Sequence, residues 1–241
     1  MIHQTKGILL HRFKYSDSKL ILKILTREFG LQSYLFFVSV SAKKKSILNV
    51  LQPMYLLDLQ VYHKNNTGLQ KIREISAGKV LINLPFDIYK QTISLFLAEF
   101  LLKMLQENQT DKELFDFIYN SVISLDNETE DFRNFHVFFL YRLTEFLGVK
   151  PKNNYSDSKK IFDLQKAKFI IGQPNHPYFL NENKSRKFYE LIELNNFNQK
   201  GFKLSNFERK FLLRSMIDFY NLHLERPGKL KSLEILAKVF S

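Results

Sequence analysis

A chain of 241 residues with 45% hydrophobic and 15% aromatic side chains can bury a sizeable core and is long enough for two domains, which excludes an intrinsically disordered protein. Lys and Arg number 36 against 24 Asp and Glu, and the resulting charge of +12 with a pI near 9.6 suits a polyanionic partner such as nucleic acid or an acidic membrane surface. The absence of cysteine removes disulfides, thiolate metal sites and cysteine nucleophiles together.

The charge is unevenly spread. Residues 1–80 carry 13 basic and 4 acidic side chains, whereas 81–241 carry 23 and 20, so the basic footprint lies at the N-terminus. The start, Met1-Ile2-His3-Gln4, lacks an extended apolar signal segment, and no apolar run approaches the roughly 18 residues that span a bilayer. A cytoplasmic location without membrane contact is the expectation.

In chain order, Thr5 to His11 predicts a first strand, followed by the polar turn Lys14 to Ser18. Leu20, Leu22 and Ile24 share one face of a second strand, and Gly30 is free to take a positive φ at the next turn. In the third strand Leu31, Leu35 and Phe37 alternate with Gln32, Tyr34 and Phe36, so both faces are apolar in part and alternation leaves open which one faces water. The basic turn Ser41 to Ser46 follows. Lys43, Lys44 and Lys45 repel one another and must sit in water; a lone lysine triplet is more often a solubilising loop, and the basic N-terminal third is what raises an anion-binding reading. After the short apolar stretch Ile47 to Leu51, Leu57, Leu59 and Val61 alternate with polar residues, and Leu69 to Ile75 completes five short strands. Five strands suggest a small closed barrel, either the OB-fold, which commonly binds nucleic acid strands, or an SH3-like barrel.

From about Leu81 the period changes to that of helices. Ile93, Phe96, Leu97, Phe100, Leu101 and Met104 predict one buried helix face, and Lys112 to Leu125 and Phe132 to Leu147 repeat the pattern, with Gly148 as C-terminal cap. Helices resume at Lys184 to Leu194, Ser205 to Leu224 and Ser232 to Val239, with Ser205 and Glu208 spaced as a capping box. Between them, 150–183 holds three of the six prolines among many Asn, Ser and Lys residues and is expected to be an irregular, exposed insert. The fold class expected is therefore α+β, with a barrel domain over 1–80 and a helical domain over 81–241.

No glycine pattern cradles a nucleotide, no histidines stand at metal spacing, and no carboxylate pair has a partner base, so neither a cofactor nor a catalytic residue is assigned and the reading is not an enzyme. The phosphate-contacting candidates are Lys43, Lys44, Lys45, Arg12, Lys14 and Arg27, with Tyr34 or Phe36 as a base-stacking face.

Taken together, Thr5-Lys6-Gly7-Ile8-Leu9-Leu10, Tyr15-Ser16-Asp17-Ser18, Leu25 to Gly30, Ala42-Lys43-Lys44-Lys45-Ser46 with Leu51-Gln52-Pro53, and the closing Leu222-His223-Leu224 and Lys229 to Leu233 resemble the bacterial recombination mediator family RecO. The resemblance implies an N-terminal OB-fold, a helical C-terminal domain and a nucleoid-associated, non-enzymatic role in recombinational repair. It further implies binding of single- and double-stranded DNA, strand annealing, work with RecR, and help to RecA in displacing single-strand binding protein. Many relatives carry a cysteine zinc motif after the helix ending here in Leu147-Gly148; this chain has none, so no zinc is expected. By the same resemblance the acidic tail of single-strand binding protein, with its terminal aromatic, docks on the helical domain. Arg133 and Arg142, which flank Phe135 to Phe139, are the candidate contacts. The alternative is a helical interaction module whose basic barrel touches RNA or only solubilises.

Overall fold

The computed structural model describes residues 1–38, 47–64, 68–129, 132–194, 202–224 and 228–240. Strands β1 (Ile2–Ser16), β2 (Lys19–Thr26), β3 (Gly30–Phe37), β4 (Leu56–Tyr62) and β5 (Gln70–Ala77) form a closed barrel in the order β1-β2-β3-β5-β4. Every pairing is antiparallel except that of β3 with β5. This is the expected OB-fold. β1 outruns the predicted Thr5–His11 because it serves two neighbours: Ile2 to Ile8 pair with β4, and Gly7 to Ser16 pair with β2, with register shifts at Leu9/His11 and Lys14/Ser16 that bend the strand between them.

The interior is filled by the alternating residues of each strand. Leu22 and Ile24 of β2 and Leu57, Leu59 and Val61 of β4 all point inward, as period two predicts, and the short helix α1 (Ile47–Val50) lays Ile47, Leu48 and Val50 against them. Gly30 takes φ +66°, and a Cβ there would stand 2.1 Å from the Gln109 carbonyl oxygen, so conformation and space both require glycine.

Strands give way to helices near residue 81, but compactness divides the chain at Asn127/Glu128. The first unit contains the barrel with α2 (Ile88–Met104) and α3 (Lys112–Asn127). In α2 the predicted face from Ile93 to Met104 is buried, and Asp87 caps the helix by accepting hydrogen bonds from the Tyr89 and Lys90 amides. The connector before α2 is pinned by one buried side chain: Asp126, at the end of α3, accepts from the amides of Ile82, Asn83 and Leu84 at 2.9, 2.8 and 2.7 Å.

The second unit holds α4 (Phe135–Phe146), α5 (Glu182–Glu193), α6 (Asn206–Leu224) and α7 (Ser232–Val239). Gly148, at φ +71°, ends α4 as expected: its amide donates to the Glu145 carbonyl and that of Val149 to Thr144. The capping box at α6 is present, with the Ser205 amide on Glu208 Oε2 at 2.8 Å and the Glu208 amide on Ser205 Oγ at 3.2 Å.

The insert at 150–183 corrects the sequence reading. It contains a three-stranded sheet, β6 (Ile161–Asp163), β7 (Lys168–Ile170) and β8 (Phe179–Leu180), in the order β7-β6-β8. Phe162, Phe169 and Leu180 are buried, and the ring of Phe162 lies 4.9 Å from that of Phe169 and 4.5 Å from that of Phe188 on α5. Strands of two or three residues are too short to show a period, so the aromatic residues hold together a segment that its Pro and Asn content made look loose.

Candidate nucleic-acid interface

The far end of the β1–β2 hairpin stands clear of the barrel core, and residues 11 to 18 are all exposed. Residues directly opposite on paired strands share a face. Phe13 pairs with Ile21, Ile21 with Leu35, Leu35 with Lys71 and Lys71 with Tyr62, which makes one outward row across all five strands. Lys19 pairs with Phe37 in the adjacent outward row, with its ammonium 5.4 Å from the ring centroid. Phe13, Phe37 and Tyr62 are 44, 48 and 42% exposed, so the outer face interleaves aromatic rings with cations. Tyr15, in the bulge, is 65% exposed.

Arg12 is exposed and donates to the Leu48 carbonyl at 3.2 Å. Lys14 pairs with Asp17 at 2.7 Å, but both side chains are almost wholly in water, where such a pair contributes little and yields readily to a phosphate. Lys43, Lys44 and Lys45 lie outside the described residues.

Three sequence candidates change role. Arg27 is engaged: its Nε and Nη2 donate to the two carboxylate oxygens of Asp116 on α3, both at 2.8 Å. That bidentate bond holds the Asp116 carboxyl below its usual range and raises the guanidinium above its own, so Arg27 acts as a clasp between the β2–β3 turn and α3. It lines a cavity of about 860 Å³ with Glu28, Asp58, Glu74 and Asp116, whose acidic character disfavours a phosphate. Tyr34 and Phe36 are inside the barrel, at 0 and 7% exposure, and offer no stacking face. The register decides this, because Tyr34 is opposite Leu22 and Phe36 opposite Leu20, both on the inward side; burial pushes the Tyr34 phenol up to about 12. The surface aromatic residues that alternation could not single out are Phe13, Tyr15 and Phe37.

In the second unit, α6 and α7 enclose a slot of about 260 Å³. Leu213, Leu236, Ala237 and Phe240 supply its apolar lining, and Lys210 and Arg214, four residues apart and exposed on α6, outnumber the exposed Glu234 of α7 among the charges that line it. Arg209 beneath them is committed to structure, donating to Asn134 Oδ1 at 2.9 Å and Asn206 Oδ1 at 2.8 Å. Arg133, in the 3₁₀ turn Phe132–Asn134, and Arg142, on α4, do not line this slot.

Comparison with known proteins decides the family. The family model described as Recombination protein O N terminal matches residues 1–79, and that described as Recombination protein O C terminal matches residues 85–234. The chain belongs to the RecO family. Proteins named DNA repair protein RecO are similar to it along the full length of both chains: 36% identical in Azobacteroides pseudotrichonymphae, 35% in Phocaeicola vulgatus and 33% in Bacteroides fragilis. The two RecO matches meet where strands give way to helices. The zinc that the RecO resemblance raises does not fit the residues present. Among the described residues no three His, Cys, Asp or Glu side chains gather as a metal site requires. In the insert, the His176 Nε2 to Asp163 Oδ2 approach of 3.4 Å brings together only two such groups, and the aromatic cluster fills the segment instead. Also among the described residues, no helix is long and apolar enough to cross a membrane.

Proposed function

We propose that the protein is a DNA-binding recombination mediator in DNA repair. It holds single- and double-stranded DNA on the barrel, anneals complementary strands, and with RecR helps RecA displace single-strand binding protein. It works without an active site, in the cytoplasm at the nucleoid. The observation that carries the reading is the outward face of the barrel, where Lys19 and Lys71 stand among exposed aromatic rings beside the exposed hairpin that bears Arg12 and Lys14. The net charge of residues 1–80 supports a phosphate partner over an acidic protein surface, because it is spread over strands and turns that a backbone can track. The rival reading, an interaction module with a merely solubilising barrel, predicts little binding at any salt.

The test is a titration of labelled single-stranded DNA at two salt concentrations, in which affinity falls steeply as salt rises. Replacing Lys43, Lys44 and Lys45 together by Ala lowers the logarithmic salt slope by about two to three units, since each phosphate contact releases close to one counterion. An unchanged slope returns the triplet to a solubilising role.

The slot between α6 and α7 supports the partner reading. A peptide that ends in acidic residues and an aromatic needs an apolar recess with cations at its mouth, and Lys210 and Arg214 stand at this one. We place the tail of single-strand binding protein there. In a tail-peptide titration, Lys210→Ala with Arg214→Ala weakens binding about tenfold or more, while Arg142→Ala leaves it unchanged. The reverse pattern moves the tail to Arg133 and Arg142.

A further inference from the structure

We propose that Phe13 and Phe37 form a base-stacking platform through which the barrel prefers single-stranded over duplex DNA. The inference rests on the DNA-binding reading above and adds to it which residues set strand preference. Both rings are about half in water on strands whose other large apolar residues are mostly covered, and both lie on the outer surface, one row apart across β1, β2 and β3. The stripe continues at His11, whose ring meets that of Phe13 edge-on at 4.3 Å, and at Tyr15 in the adjoining bulge. Cations border it: Lys19 beside Phe37, and Lys71 further along the Phe13 row, between Leu35 and Tyr62. A group that meets a phosphate thus lies next to a ring that meets its base.

The two kinds of side chain read different things. Phosphates are present on duplex and single strand alike, so the cations serve both. Nucleobase faces are open only when a strand is unpaired; in a duplex they are stacked on one another and withheld from a ring on a convex barrel surface. Stacking on a protein aromatic is sequence-tolerant, which suits a protein that must accept any strand.

The experiment uses the full chain and two oligonucleotides, a single-stranded oligo-dT and a duplex of equal length. Phe13→Ala with Phe37→Ala weakens oligo-dT binding by roughly tenfold or more, while duplex affinity and both salt slopes remain those of the parent. Because the chain contains no tryptophan, Phe37→Trp introduces a single indole, whose fluorescence is quenched by saturating oligo-dT but not by duplex. Phe86→Trp, at a position 87% exposed in the connector before α2, stays unquenched as the control. Equal losses for single strand and duplex, or an unquenched indole when anisotropy shows oligo-dT bound, overturn the platform and leave the DNA-binding reading standing. No binding of either oligonucleotide by the parent overturns both.

Discussion

Replacing Asp126 by Ala destabilises the protein by about 3–5 kcal/mol, the largest effect expected of any single substitution here. The carboxylate is 3% exposed and lies in the last turn of α3, where the helix dipole opposes a negative charge. What holds it there is the connector: three successive amides, of Ile82, Asn83 and Leu84, donate to it, and the Asn83 side chain and the 2%-exposed Lys90 ammonium donate to its main-chain carbonyl, each at 2.9 Å. Truncation leaves three donors in a dry setting without their acceptor, each worth about 1–3 kcal/mol. Asp126→Asn is milder, because the amide oxygen can still serve Asn83 and Leu84, which share Oδ1, while its NH₂ faces the Ile82 amide. Urea unfolding of the three proteins checks the order, parent above Asn above Ala. A loss below about 1 kcal/mol for Ala means the connector finds other partners.

Nothing in the sequence marks Asp126, and the reason is general to this protein. Features that depend on neighbours in the chain were legible: the alternation of Leu57, Leu59 and Val61, the left-handed Gly30, the Ser205–Glu208 cap, and the helical face from Ile93 to Met104. Features that depend on distant residues were not. Arg27 reads as a free cation until Asp116, 89 positions away, comes beside it. β3 is apolar on both faces, so period two divides its residues into two sets but leaves the inward set undefined; closure of the barrel puts Tyr34 and Phe36 inside and leaves Phe37 outside. The slot in the second unit needs Phe240 from beyond α7 as well as the cations of α6, and no spacing within one helix announces that meeting.

Acidification from pH 7 to 5 removes about 2 kcal/mol of stability through one side chain, His136. It is 1% exposed within α4, with the Phe240 ring 5.6 Å away. Burial, reinforced by the charge of Arg209, lowers its imidazole from 6.5 to about 3. The unfolded chain therefore takes up this proton near pH 6.5 while the folded chain refuses it until near pH 3. Between those values the unfolded state binds more protons, so the contribution is complete above 6.5 and is lost progressively as pH falls toward 3, at up to about 1.4 kcal/mol per unit. His136→Leu puts an apolar side chain in this buried place and cannot titrate. Urea unfolding at pH 7 and pH 5 shows the parent losing about 2 kcal/mol more than the variant over that interval. His11 and His63, also lowered chiefly by burial, act in the same direction in both proteins and cancel in the difference. Equal losses in parent and variant would show that the folded protein admits a proton at His136 near the ordinary value, and hence that water reaches the ring between α4 and Phe240.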